Sequence, residues 1–160
     1  MKKSFCFFIF LLFLFLPLPA FASNEPPSFQ RASYSIVVNG EPLTSICLIQ
    51  NEAHCIFVPL RPISTLLGYT VTWDPQSKTA GVEDSIQKAQ IIPDNSTISF
   101  LGKLQIIDLS HELYTPVCPI LYHGQLYVPV SFFHEFFNDI IFTESSITIA
   151  PQIAEIQTKN

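Results

Sequence analysis

The sequence has few of the residues that phosphate-binding, nucleic-acid-binding and catalytic sites need. Its 160 residues include 5 Gly and 8 Lys and Arg, against 13 Asp and Glu. Five scattered Gly cannot form a Gly-rich phosphate loop, and no Gly-x-Ser-x-Gly nucleophile elbow is present. With so few cations the chain has little electrostatic support for binding a phosphate backbone. Nucleic acid is therefore not expected as a partner.

The histidines do not form a metal-binding pattern. None of the four has a second His two or four residues away, the spacings that place two ligands on one face of a strand or helix. We therefore expect no metal and no cofactor, and we predict that the protein is not an enzyme. A small exported hydrolase is a distant alternative. It would require a cleft in which a His lies within hydrogen-bond reach of a Cys or a carboxylate.

Hydrophobic residues are concentrated at the N-terminus. Residues 1–22 contain 7 of the 15 Phe, with Lys2 and Lys3 before an apolar run over 5–16 and an Ala-x-Ala site at 20–22. This order is typical of a secretory signal peptide, and the run is shorter than the ~20 residues of a membrane span. The alternative is an uncleaved anchor. Cleavage would release a 138-residue chain of net charge −7, with no stable membrane span.

Three cysteines remain after the predicted leader. Export makes disulfides feasible, and Cys47 and Cys55 are spaced so that they could bridge two neighbouring strands. The alternative is that Cys47, Cys55 and Cys118 are small buried hydrophobic residues.

The first half of the exported chain contains signals for strands and a short helix. Asn39-Gly40, between apolar runs, predicts a β-hairpin with a type I′ turn. A strand over 56–58 and a helix over 62–67 follow, with Ile63, Leu66 and Leu67 as its apolar face and Gly68 as its left-handed stop. Strands over 70–73 and 79–83 complete this set, with turn chemistry at 74–77.

The second half repeats this order at an offset of about 70 residues. Tyr-Val-Pro-Val at 127–130 repeats Phe-Val-Pro-Leu at 57–60. The predicted helix over 132–137 has Phe133, Phe136 and Phe137 at the positions of the first apolar face, and Asn138 at the position of Gly68. Strands over 140–142 and 147–149 then follow, after a deletion of about one residue. The repeat predicts two related units.

These patterns predict an α+β fold, in which antiparallel β-sheets each pack on a short helix in two related repeat units. The predicted organisation comprises a signal peptide (1–22), a flexible lead-in (23–33), a first unit (34–90), a second, diverged unit (91–152) and a tail (153–160). The junction between the units is predicted at 84–93.

The motifs resemble a known family. Val-Asn-Gly at 38–40, Val-Pro-Leu-Arg at 58–61, Leu-Gly at 67–68 and Val-x-Trp-Asp at 71–74 are similar to the copper amine oxidase N-terminal-domain-like, or stalk domain, family. The resemblance implies tandem copies, here with a second copy that lacks the Arg, Gly and Trp of the motifs. It also implies an exported, non-catalytic domain of Gram-positive bacteria, with no copper site and no oxidase activity.

The resemblance implies a secreted, non-enzymatic scaffold or binding module at the cell envelope. Its partner would be an envelope component or another exported protein; the alternative is a cell-wall glycan- or peptide-binding module. The candidate ligand-binding residues are Arg61, which could hold an anion, and Tyr69 and Trp73, which could form an aromatic platform. The structural alternative, which alternation with Val71 favours, has Trp73 in the core and Arg61 paired with an acid or a helix end.

Overall fold

A computed structural model describes residues 28–104 and 108–152 of the chain. The predicted signal peptide and tail, and the lead-in as far as residue 27, lie outside the described residues. Strands hold 52% and helices 11% of these residues, so the fold is mainly β.

The described elements are fourteen short strands and two helices of seven residues each. The strands are β1 (Phe29–Ala32), β2 (Ser35–Val38), β3 (Glu41–Leu43), β4 (Cys47–Gln50), β5 (Cys55–Pro59), β6 (Thr70–Asp74), β7 (Thr79–Glu83), β8 (Gln87–Ile91), β9 (Thr97–Gly102), β10 (His111–Tyr114), β11 (Ile120–Tyr122), β12 (Gln125–Pro129), β13 (Asn138–Phe142) and β14 (Ser146–Pro151). Helix α1 (Leu60–Leu66) follows β5, and a 3₁₀ helix (Val130–Phe136) follows β12.

These strands form three sheets. Their orders are β1-β4-β5-β12-β11, β10-β9-β8-β7-β6 and β13-β14-β2-β3, and every pair is antiparallel except β14 with β2. The predicted α+β class, with a helix packed on each sheet, is therefore wrong. Two helices of about two turns each cannot cover three sheets, and strands from distant parts of the chain close the core instead.

Two segments predicted as connections contain strands. The lead-in predicted over 23–33 contains β1, which pairs with β4. The junction predicted over 84–93 contains β8, which is hydrogen-bonded to β7 on one side and β9 on the other. Neither segment has strong alternation in the sequence, and both are held by their neighbours in a sheet.

The hairpin predicted at Asn39-Gly40 is confirmed. Both residues have positive φ, 51° and 83°, and they join β2 to β3 in the two-residue loop that the type I′ turn requires. His123 and Gly124, with φ of 48° and 76°, make the equivalent connection between β11 and β12.

The central sheet joins the two halves of the chain through β5 and β12. These strands pair antiparallel with Val58 directly opposite Val128, and both side chains are completely buried. Helix α1 leaves one end of this pair and the 3₁₀ helix leaves the other, since each begins directly after its strand.

Both predicted helices exist, and each exposes one of the three residues of its predicted apolar face. Helix α1 buries Leu60, Ile63 and Ser64, while Leu66 is 39% exposed. The 3₁₀ helix buries Phe132, Phe133 and Phe136 in the main core. A periodicity of 3.6 residues thus identifies two of the three predicted positions of each apolar face, because the orientation of a seven-residue helix is also fixed by the strands on either side.

Phe137, and not Asn138, is the left-handed residue that ends the 3₁₀ helix. Its φ is 54°, and its side chain is 47% exposed. Asn138 is fully buried, and its amide nitrogen donates to the carbonyls of Phe133 (2.9 Å) and Phe136 (3.1 Å). The same amide contacts the Tyr69 hydroxyl at 2.9 Å, so that Asn138 closes the helix end with its side chain and links it to the other half of the chain.

Replacing Asn138 with Ala should destabilise the protein by about 2–4 kcal/mol, because two buried carbonyls and a hydroxyl would lose their partner. Tyr69→Phe, which removes the hydroxyl alone, should cost about 1 kcal/mol. Urea unfolding followed by circular dichroism measures both values. An Asn138→Ala variant as stable as the parent would contradict the role assigned to this side chain.

Candidate functional site

The candidate site is a groove between α1, β6 and the hairpin of β11 and β12. Its volume is about 430 Å³. The first half of the chain contributes Leu60, Arg61, Pro62, Val71, Thr72, Trp73 and Ala80, and the second half contributes Leu121, Gly124, Gln125 and Leu126. We call this cavity the Arg61–Trp73 groove.

Trp73 lies on edge strand β6 and is 38% exposed. It shares its face of the strand with Val71, as alternation predicted, but the interpretation that placed Trp73 in the core is wrong. Val71 packs partly against the core, whereas Trp73, two residues further on, lies beside the open groove. Alternation predicts on which face of a strand a side chain lies, but it does not predict how deeply that side chain is buried.

Arg61 lies at the second position of α1. Its Nη1 donates to the backbone oxygen of Val71 at 3.4 Å, a long contact that leaves the other guanidinium N–H groups for a ligand. Two ion pairs occur among the described residues, Lys103 with Glu83 and His111 with Glu135. The expected pairing of Arg61 with an acid is therefore not found in the described part of the chain.

Tyr69 does not line the groove. Its ring stacks on Phe136 with centroids 5.1 Å apart, and its hydroxyl contacts Asn138. Burial raises the pKa of the phenol, while the bond to Asn138 acts in the opposite direction. The structure thus brings two of the three predicted ligand-binding residues together, and it assigns Tyr69 to the contact between the two halves.

Four residues of the β11–β12 hairpin were missed as site residues. Leu121, which is 50% exposed, and Leu126 provide the apolar wall opposite Trp73, while Gly124 and Gln125 contribute to the turn end. Nothing local marks them, because they lie about 50–65 residues from Arg61 and Trp73 in the sequence. The repeat offset was the one available signal, since it relates β12 to β5.

Asp74 caps a turn, as the sequence indicates. Its carboxylate accepts from the Ser77 hydroxyl at 2.7 Å and from the backbone N–H of Gln76 at 2.9 Å. These bonds lower the pKa of this exposed carboxyl group. Asp74 is therefore occupied in the turn between β6 and β7.

The disulfide considered between Cys47 and Cys55 does not form, and all three described cysteines are free thiols. Leu48 pairs with Phe57 and Gln50 with Cys55, which puts Cys47 and Cys55 on opposite faces and three positions apart. That separation exceeds the ~7 Å limit for Cα atoms of a bridge. The alternative interpretation holds for Cys47, which is buried, whereas Cys55 and Cys118 are only partly buried. Burial raises the pKa of the Cys47 thiol to about 11.

The geometry required for a hydrolase is met in part by His111. Its Nε2 lies 2.9 Å from a Glu135 carboxylate oxygen, and both residues line a cavity of about 260 Å³. Its Nδ1 lies 2.9 Å from the carbonyl of Leu109, so both ring nitrogens face acceptors. A His in this arrangement has no free nitrogen with which to activate a nucleophile.

No group of three or more His, Cys, Asp or Glu side chains among the described residues is arranged to hold a metal ion. Over the same residues, no helix has both the length and the apolar character needed to cross a bilayer.

Comparison with known proteins identifies the family of the chain. The family described as copper amine oxidase N-terminal domain matches residues 37–149. This match confirms the resemblance drawn from the Val-Asn-Gly and Val-Pro-Leu-Arg motifs. No solved structure matches the chain significantly.

A curated relative from Brevibacillus choshinensis, named protease inhibitor, is 25% identical over 138 residues. The alignment covers 84% of this chain and 38% of the relative, so the chain spans less than two fifths of the length of that protein.

Because Trp73 is the single tryptophan of the chain, its fluorescence reports directly on the groove. With 38% of its surface exposed, we expect acrylamide to quench the emission of the native protein clearly, though less than in urea. A native protein that resists quenching until it unfolds would show that Trp73 is buried after all.

Proposed function

Because the chain belongs to the copper amine oxidase N-terminal domain family, we propose that it is an exported, non-catalytic binding module that uses the Arg61–Trp73 groove at the cell envelope. The N-terminal domain of copper amine oxidases is itself non-catalytic. Export is supported by the leader-like order of residues 1–22.

One observation carries the proposal. Trp73, which is 38% exposed, and Arg61, which belongs to no ion pair of the described residues, line the same concave and mainly apolar surface. Aromatic and Arg side chains are the residue types that most often dominate binding energy, particularly in pockets. The apolar side chains of Trp73 and Leu121 would bind an apolar or ring-shaped group, and Arg61 would bind an anionic or hydrogen-bonding group beside it. The bound partner is a cell-wall polymer or another exported protein, of glycan or peptide character.

We also propose that the domain consists of two copies of one unit, the second diverged. The order strand, short helix, strand, strand occurs as β5–α1–β6–β7 and as β12–3₁₀ helix–β13–β14. An offset of 70 residues relates Val58 to Val128, and these two residues face each other at the centre of the β5–β12 pair. This is the arrangement of a local two-fold axis through that pair.

The two copies are not equivalent at the groove. Ser131 occupies the position of Arg61, and Phe142 that of Trp73. The Phe142 ring contacts the ring of Tyr34, with centroids 6.5 Å apart. The binding function is therefore assigned to the first copy, and the second copy supplies the opposite wall.

The relative named protease inhibitor suggests a second candidate function, inhibition of a protease, since its alignment extends over 84% of this chain. An inhibitor would form a stoichiometric complex with an active protease and would survive digestion. A panel of serine, cysteine and metalloproteases, titrated with the chain, separates this candidate from a binding module that leaves proteolysis unchanged.

Cosedimentation with isolated bacterial cell walls tests the proposed function. The chain without residues 1–22, the form that export would release, should pellet with walls even at high salt, because apolar contact with Trp73 is not screened. Trp73→Ala should weaken binding by about tenfold or more, as for the loss of a central aromatic contact.

Phe142→Ala is the matched control, because it also shortens an exposed aromatic residue of an edge strand. It should pellet like the parent. Failure of the parent to pellet, combined with self-association on a sizing column, would favour a scaffold over a binding module.

A further inference from the structure

We propose that the Arg61–Trp73 groove takes an extended peptide, which adds as a strand to the free edge of β6 and places a carboxylate on Arg61. The inference rests on the proposed function, in that it takes this groove as the binding site. It goes further by assigning the class of ligand and the way in which the backbone of the ligand is held.

The hydrogen-bonding directions along β7 show which groups of β6 face outward. The N–H of Asp84 donates to the carbonyl of Gln87 at 3.1 Å, and these two residues continue the pairing of β7 with β8. Alternate residues of β7, Ala80 and Val82, therefore bond to β8. The residues between them bond to β6, and their partners on that strand are the even-numbered ones.

The backbone groups of Val71 and Trp73 consequently point away from the sheet. Strand β6 pairs with β7 and with no second described strand, so this edge is open within the described ranges. The Arg61 contact confirms the direction independently, since the guanidinium reaches the Val71 carbonyl from outside the sheet. No described group bonds to the N–H of Val71 or Trp73. Two amide donors and the Trp73 carbonyl are thus presented at the groove.

An unpaired strand edge of this kind is complementary to another extended backbone. Its donors and acceptors repeat every second residue, at about 6.6–6.8 Å, which is the repeat of a peptide strand. Peptides that bind by strand addition obtain affinity from these main-chain bonds and specificity from pockets for alternate side chains. The groove supplies such a pocket, between Trp73 and Leu121, directly beside the edge.

Arg61 defines the charge of the ligand. Its guanidinium lies at the same edge and belongs to no ion pair of the described residues. A carboxylate can accept two parallel bonds from it, and such charge-assisted bonds are stronger than neutral ones. The expected ligand is therefore a peptide whose backbone pairs with β6 and whose apolar side chain enters the pocket. Its acidic side chain or C-terminal carboxylate, one or two residues from the apolar side chain, binds Arg61.

The corresponding edge on β13 provides a comparison within the molecule. Its outward-facing residues are Asn138, Ile140 and Phe142, because Gln152 bonds to Phe137 and Thr143 to Ser146 across the β13–β14 pair. The Asn138 carbonyl is already bonded by the His134 ring at 3.0 Å. Asp139 adds negative charge, and Ser131 replaces the Arg. This edge therefore lacks the cation that would hold an acidic peptide.

Binding of synthetic peptides to the ¹⁵N-labelled chain without residues 1–22 tests the inference. The probes are an acetylated hexapeptide of alternating Thr and Leu that ends in Glu, the same peptide ending in Lys amide, and the Glu peptide with its leucine nitrogens methylated. We expect the Glu peptide to bind and to slow hydrogen exchange at the Val71 and Trp73 amides. The Lys and methylated peptides should bind about tenfold or more weakly, as for the loss of a charge-assisted or main-chain bond.

A pair of proline variants tests the edge itself. Val71→Pro removes an outward N–H and leaves the ladder to β7 intact, and Ile140→Pro does the same on β13. Both residues are partly buried against the main core, so they are matched in their packing. Val71→Pro should weaken binding of the Glu peptide by about tenfold, and Ile140→Pro should leave it unchanged. If Val71→Pro does not fold, the methylated peptide tests strand addition from the ligand side, because it lacks the N–H groups that would donate to the Trp73 carbonyl.

Several outcomes would overturn the inference. They are no binding by any probe, equal binding of all three peptides, or binding without protection of the Val71 and Trp73 amides. Displacement by a chito-oligosaccharide that protects neither amide would identify the groove as a glycan site. If the peptides fail while pelleting with cell walls still depends on Trp73, the inference falls and the proposed function stands. If neither assay depends on Trp73, both fall.

Discussion

The pairing of β5 with β12 is the interaction on which the rest of the structure depends. Val58 and Val128, which face each other at its centre, are fully buried and belong to the main core. Helix α1 and the 3₁₀ helix begin where these two strands end, and each leads into a hairpin at the edge of another sheet. One antiparallel pair therefore sets the positions of all three sheets, and the buried contact between Tyr69 and Asn138 links the same two halves a second time.

The groove depends on that pairing because neither half of the chain can form it alone. Arg61 and Trp73 come from the first half, and the hairpin of β11 and β12 supplies Leu121 and Leu126 as the opposite wall. The hairpin reaches this place because β12 is hydrogen-bonded to β5. Under the duplication and divergence proposed above, the first copy keeps the cation and the exposed Trp, and the second copy provides the opposite wall. A binding site built on strands in this way is held more rigidly than one on loops alone.

Local sequence patterns predicted the turns and strands in which they occur. The pairing of strands that are distant in the sequence could not be predicted from such patterns. The Asn39-Gly40 turn followed from backbone preference, and the strands on either side of α1 followed from alternation and from proline positions. The fold class could not follow, because the mainly β content comes from strands such as β1 and β8 whose sequences alternate weakly. Phe137 takes the left-handed conformation that Asn138 was expected to adopt. The Asn138 side chain is instead buried, where its amide donates to the carbonyls of Phe133 and Phe136. Two residues of the groove, Arg61 and Trp73, were predicted from their chemistry. The degree to which Trp73 is buried could not be predicted, because it depends on a hairpin about fifty residues away in the sequence.

Native-state hydrogen exchange is the most direct test of this account. If the β5–β12 pair organises the fold, the backbone amides that join these strands should exchange only through global unfolding, while those at the outer edges of β6 and β13 exchange faster. The slowest amides should be shared by both halves and should lose protection together as denaturant is added. Separate protection levels for the two halves, with the β5–β12 amides opening before either half unfolds, would contradict it.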